Sequence, residues 1–347
     1  MITRNAAYFF LCCLFPLSLQ AQKSDGFSFV DHFDKNQVDI LYNNKLLTSY
    51  CYGDSIMKPV LFPVNTVSGI TVTRGFPLSP RPGERVDHPH HIGIWMNYES
   101  VNGLDFWNNS TAIPYQNKSR YGRIVHHKIV TAETKGNNKA TLVTAAYWKD
   151  HSNRTLLTEI TTYSFEVRKT DFIIDRITGL TAVANEVLFR DIKDGFLAIR
   201  VARELEHSSS EPATLIDKNG GYTSTPVVNN DGVTGEYLSS EGLTGNAVWG
   251  TRAKWTSLRG KIRQQPVSIT ILDHPKNPGY PTYWHARGYG LFAANPLGQA
   301  IFSNGKEHLN LSIKKDESVI FRYRIIVRGG HDITAEEINK LAKDFSK

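Results

Sequence analysis

The chain reads as an all-β protein, a large antiparallel β-sandwich closed by one C-terminal helix. Two observations predict this: period-two alternation rich in β-branched residues recurs along most of the 347 residues, and helical periodicity is almost confined to the last seventeen. A third is that no βα alternation occurs, which favours a sandwich or barrel over an open α/β sheet. With 40% hydrophobic and 21% charged residues the composition is that of an ordinary globular protein, long enough for a large core.

In chain order, Met1 to Gln22 begins with Arg4 in a short polar start, continues as an apolar run from Ala6 to Leu19 and reaches Ala21 where a cleavage site needs a small residue. This predicts a signal peptide over 1–21 and a periplasmic or secreted protein. The run is shorter than a spanning helix needs and contains Pro16, so no membrane span is expected in the mature chain. Cleavage removes Cys12 and Cys13, leaving Cys51 and no intrachain disulfide. It also removes Arg4 and lowers the net charge from +7 to +6. The basic residues are scattered through strands instead of forming a patch, so no nucleic-acid partner is expected.

Residues 22–347 are expected to form one β-sandwich domain. Strands are predicted at 70–74, 123–131, 141–148, 156–167, 172–177, 196–202, 267–272, 309–313 and 319–327, separated by polar turns such as KGNNK and VNNDG. The end, HDITAEEINKLAKDFSK, predicts a helix over about 334–345. There Thr334 and Glu337 form a capping box, and Ile338, Leu341 and Phe345 share a face.

The segment richest in chemistry is Asp87-His88-Pro89-His90-His91, within RPGERVDHPHHIGIWMNYESVNGLDFWNNS. Imidazole moves protons near neutral pH or ligates transition metals, so His88, His90 and His91 are the leading catalytic candidates, with Asp87 or Glu84 orienting a ring. Pro89 suggests a rigid loop or edge strand, followed by a buried GIWMNY. The second informative stretch, Asp273 to Gly298, holds four prolines before residue 297 among aromatics and reads as a structured loop lining a pocket. In it His285 is a further acid/base candidate, and Tyr283 and Trp284, with Trp95 and Trp107, are candidate stacking platforms for a sugar. Arg74 and Arg81 are candidate oxyanion or substrate contacts. Secondary candidates are Asp191, Lys193, Asp194, Arg200 and Arg203. No dinucleotide, P-loop, zincin, CxxC or nucleophile-elbow motif is present.

These two stretches, with Gly195 to Ala202 and Trp249 to Trp255, resemble the bacterial family DUF6807, often labelled a methane oxygenase. The match rests on DHPHH, the VNG-x-DFW run from Val101 to Trp107, DHP-x-NP at Asp273 to Pro278, and PTYWH and YGLFAANP between Pro281 and Pro296. Many relatives carry Arg after the double His, where this chain has Ile92, so no role of that arginine carries over. The resemblance implies a galactose-mutarotase-like supersandwich, in which a histidine of a His-Pro-type segment serves as acid and a carboxylate as base. Methane oxidation is not expected of a chain with no spanning segment in its mature part.

Three functions follow as expectations. The first is a carbohydrate- or glycoside-active enzyme of epimerase, lyase or hydrolase type, using histidine acid/base chemistry on a small-molecule or oligosaccharide ligand. The second is an enzyme with a divalent metal held by His88 and His90 with His285 or a carboxylate. The third is a non-catalytic carbohydrate-binding protein.

Overall fold

The computed structural model describes residues 25–347. The leader expected over 1–21, with Cys12 and Cys13, lies outside the described residues. Two eight-stranded antiparallel sheets make the fold. The first runs, edge to edge, Phe27–His32, Gln37–Tyr42, Lys45–Cys51, Val60–Val64, Ile94–Tyr98, Gly195–Arg200, Leu291–Asn295 and Tyr283–Ala286. The second runs Glu236–Ser239, Trp255–Ile262, Gln265–Asp273, Ser318–Gly329, Asp171–Ala182, Thr155–Arg168, Lys139–Lys149 and Arg123–Lys135.

The strands of the second sheet form because their apolar residues alternate. In Thr155–Arg168, for example, Leu157, Tyr163, Phe165 and Val167 are buried on one side while their neighbours are only partly covered. The centre of the first sheet is different: Ile94–Tyr98, Gly195–Arg200 and Leu291–Asn295 are buried at every position. Ile94, Met96, Leu197, Ile199 and Phe292 point into the main core, which also takes residues of the second sheet such as Phe165 and Ile325. The alternate residues Trp95, Ala198, Leu291 and Ala293 form a smaller apolar cluster with Trp107 and Ile92. A loop layer therefore covers the outer face of this sheet, and it contains the histidine motif.

Differences from the expected strands are local. Residues 70–74 make only isolated bridges, Asn65 to Thr71 and Thr73 to Val201, because Arg74 turns away into a polar network. In the segment expected at 309–313, the strand is Ser312–Lys314. The proline-rich stretch from 273 to 298, expected as a loop, holds the last two strands of the first sheet, since its prolines all fall outside Tyr283–Ala286 and Leu291–Asn295. No helix of the described residues is long and apolar enough to cross a membrane.

The C-terminal helix spans Ala335–Phe345 and carries the expected capping box, Thr334 Oγ1 accepting from the Glu337 amide and Glu337 accepting from the Thr334 amide. Ile338 is fully buried against Trp255, Ile326 and Ile333, with Leu341 and Phe345 beside it. Removing the cap by Thr334→Ala is expected to destabilise the protein by about 1 kcal/mol. The check is urea unfolding, with a lower midpoint and an unchanged m-value.

Candidate active site

Arg74 and Arg200 converge on Asp87. Arg200 ends the strand Gly195–Arg200, and Arg74 is paired to it through its amide, which donates to the Arg200 carbonyl at 3.0 Å. Both guanidinium groups are almost wholly buried, and each donates to Asp87 Oδ1, Arg74 at 2.8 Å and Arg200 at 2.6 Å. Arg74 also donates to the carbonyls of Arg85, Asp87, His88 and His91, so one side chain holds the loop along its length. Burial opposes ionisation of Asp87, yet the His88 ring and the two guanidiniums outweigh it and hold the carboxyl well below the usual carboxylate range. Asp87 is therefore a fixed anion.

The loop's three imidazoles occupy three environments. His88 has a φ of +45°, a left-handed conformation that only a few per cent of non-glycine residues adopt. That twist lays its ring flat between His91 and Tyr289, at centroid distances of 4.7 and 5.1 Å. Its Nδ1 lies 3.3 Å from Asp87 Oδ1, a close charge contact whose angle falls short of an aligned hydrogen bond, and its side chain is 39% exposed. His91 is buried, stacks on Trp95 at 5.1 Å and meets Arg200 through Nδ1 at 3.2 Å. Because a guanidinium only donates, that contact fixes the neutral tautomer with the proton on Nε2. Burial, reinforced for His90 by Lys58 and for His91 by His90, drives both rings well below the normal imidazole range. His90 and His91 thus remain neutral, and of the three only His88 opens to solvent.

Beneath them Lys58 donates to the His90 carbonyl at 2.6 Å, with its ammonium 5.4 Å from the Trp95 ring. It is buried, and desolvation pulls it down to about 7 against the attraction of Asp105.

The stack opens on a cleft of about 450 Å³ lined by Arg85, Asp87, His207, Trp249, Arg287 and Tyr289, among others. Trp249 is 40% exposed. His207 Nδ1 meets Asn246 Oδ1 at 3.2 Å, so Nδ1 carries the proton and Nε2, which has no protein partner, is a bare acceptor. Burial lowers the affinity of His207 for a second proton.

Several residues singled out in the sequence have other work. Glu84 does not orient an imidazole: its carboxylate is buried and accepts from the amides of Gly75, Phe76 and Arg81 and from Arg81 Nε, which pins the loop. Gly75 is required there, since a Cβ would meet the Ser79 carbonyl oxygen at 2.0 Å. Arg81 is committed to Glu84 and the Thr73 carbonyl. Trp95, Trp107 and Trp284 are buried core and offer no platform to a ligand, and Tyr283 lies under Arg252. His285 is buried against the Lys193 carbonyl and Phe302, with Asp194 at 3.6 Å, and burial lowers it to about 4. Among the described residues no three His, Cys, Asp or Glu side chains are grouped so as to hold a metal ion, so His88, His90 and His285 do not form the expected ligand set. Of the secondary candidates, Arg200 belongs to the site, Arg203 pairs with Glu206, and Asp191 caps the backbone at Leu309 and Asn310. His207, Tyr289, Arg287 and Lys58 carried no signal of their own in the sequence.

The two layered sheets and the histidine loop on the outer face define a β-sandwich with an aromatic and arginine-lined polar cleft. The chain belongs to DUF6807, a family of unknown function, which it matches over residues 37–343. No curated protein matches it in sequence. Solved structures with similar folds include the galactosidase domain of an alpha-galactosidase-sucrose kinase, at 10% identity and a TM-score of 0.40 over 87% of this chain and 41% of that one. An alpha-galactosidase from Lactobacillus brevis matches at 10% identity and 0.33, over 89% of this chain and 39% of that one. A galactose mutarotase related enzyme from Lactobacillus acidophilus matches at 9% identity and 0.29, over 88% and 98%. The chain thus spans about two fifths of the length of the first two.

A buried lysine held at about 7 binds its proton less tightly than the unfolded chain does. Stability should therefore rise with pH from 7 to 9, before Cys51 and the buried tyrosines, whose ionisation burial opposes, reverse the slope. Lys58→Met is expected to flatten that rise in denaturant midpoints measured across the interval.

Proposed function

We propose that the protein is an enzyme acting on a carbohydrate through proton transfer by His88. The observation that supports this most strongly is the setting of His88, a half-open imidazole twisted onto Tyr289, with Nδ1 against a permanently ionised Asp87 and no hydrogen bond to Nε2. A fixed carboxylate behind an imidazole stabilises the protonated ring that forms when Nε2 takes a proton, and orients it for the return step. His207, which lines the cleft with Tyr289, holds a second unpaired acceptor in its Nε2, but that atom is buried from solvent. An imidazole that both gives and takes a proton suits epimerisation, elimination or mutarotation of a sugar.

The substrate class follows from the walls. A polar cleft of this volume accommodates one or two sugar rings, and exposed Trp249 supplies an apolar face for stacking while the rim supplies hydrogen-bond partners. A periplasmic or secreted location belongs to the same reading and rests on the leader-like start of the sequence.

The test is incubation of the purified protein with a panel of reducing sugars and methyl glycosides, followed by proton NMR for both binding and conversion. His88→Gln is expected to keep ligand binding and a native melting curve while turnover falls at least about hundredfold. Unchanged turnover in that variant would sink His88 chemistry. Binding without conversion in the wild type would instead identify a carbohydrate-binding protein.

A further inference from the structure

Charge is distributed unevenly around the cleft. Arg74 and Arg200 share the carboxylate of Asp87, and Arg85 and Arg203 share that of Glu206, at 2.9 and 2.7 Å. Each carboxylate therefore faces two guanidiniums, and of these six groups Arg85 and Asp87 line the cleft. A fifth guanidinium, Arg287, is exposed on the cleft and makes no hydrogen bond or ion pair among the described residues. It rests instead on two rings, its carbon 5.5 Å from the Trp249 centroid and 5.8 Å from the Tyr289 centroid. Those contacts orient the cation without consuming its N–H groups. The other carboxylates nearby are Asp194, which is paired with Lys193, Glu211 on the rim and Glu236 close to His207, the last two exposed and screened by water.

Arg287 is thus a cleft-lining guanidinium with no carboxylate partner among the described residues, beside the exposed ring of Trp249 and the ring against which His88 lies. A planar fork held between aromatic rings matches the two oxygens of a carboxylate, whereas a neutral sugar would leave that charge uncompensated once water is displaced. We propose that the substrate is an acidic sugar, a uronate-type ring whose carboxylate pairs with Arg287 while its apolar face lies on Trp249. This rests on the carbohydrate reading above and narrows it to one substrate class. Arg287 would be a specificity-determining residue, outside the proton-transfer steps.

The experiment compares galacturonate and glucuronate with galactose, glucose and galactose 6-sulfate, by isothermal titration or ligand-observed NMR at fixed ionic strength. It uses the wild type, Arg287→Gln and Arg287→Lys, with melting curves to confirm that each variant is folded. The expected result is a uronate preference of at least about tenfold over the neutral parent, the size of a single charge-assisted contact. That ratio should fall to near one in Arg287→Gln and stay partly restored in Arg287→Lys, which keeps the charge without the fork. Equal affinity for uronates and neutral sugars in the wild type would overturn the proposal and leave the carbohydrate reading standing, as would a preference that survives Arg287→Gln. Tighter binding of the sulfated sugar would overturn the assignment of a carboxylate. Binding of none of these sugars would overturn both readings.

Discussion

The site depends on one interaction, the capture of Asp87 by two buried arginines. Isolated buried charges are unfavourable by several kcal/mol each, so Arg74 and Arg200 are tolerable only because they find an anion and a row of backbone carbonyls at once. The reverse also holds: Asp87, Pro89 and the double histidine keep their loop conformation because Arg74 takes four of its carbonyls. Since Arg74 and Arg200 come from segments more than a hundred residues apart, bonded to each other through the backbone, the loop is fixed to the centre of a sheet. This is the support that a left-handed His88 requires, because a strained backbone persists only where its surroundings over-determine it.

Stacking then divides the imidazoles by function. Tyr289, His88, His91 and Trp95 lie face to face in one continuous pile from the cleft to the apolar cluster on the outer face of the sheet. Rings deep in the pile are desolvated and stay neutral, so they act as packing and as hydrogen-bond partners. The outermost histidine alone keeps contact with both a carboxylate and solvent. A motif of three histidines in four residues therefore presents one solvent-facing imidazole, backed by two neutral ones.

Much of this architecture was legible in the sequence, and the parts that were not share a cause. Period-two alternation located the long strands between 123 and 182 and at 318–329, where one face is buried and the other is not. It failed for Leu291–Asn295, buried on both faces and flanked by prolines that read as a loop. The DHPHH segment declared itself through composition, as did the capping box at Thr334. Whether a tryptophan is core or platform was illegible, because both uses need the same residue: Trp95, Trp107 and Trp284 went inside, and Trp249 stayed out. Glu84 was misread for a similar reason, since a carboxylate three residues from a histidine motif can as easily cap amides of its own loop. His207 and Arg287 lack any motif and become visible only when chain crossings place them opposite Asp87 and Tyr289.

The same constraint links fold, chemistry and specificity. An imidazole that must both gain and lose a proton works best when its counter-charge is constant, and the paired arginines make Asp87 constant by keeping it ionised throughout the range in which a histidine titrates. That stability comes with an excess of positive charge, because two guanidiniums are needed to hold one carboxylate, and the arrangement is repeated at Glu206. Arg287, in neither cluster, is a cleft cation that finds aromatic rings instead of an anion. On the reading proposed above, a ligand carboxylate would supply Arg287 with the anion it lacks. On the same reading, Arg74 and Arg200 fix the loop that carries His88, while Arg287 biases which substrate the cleft accepts.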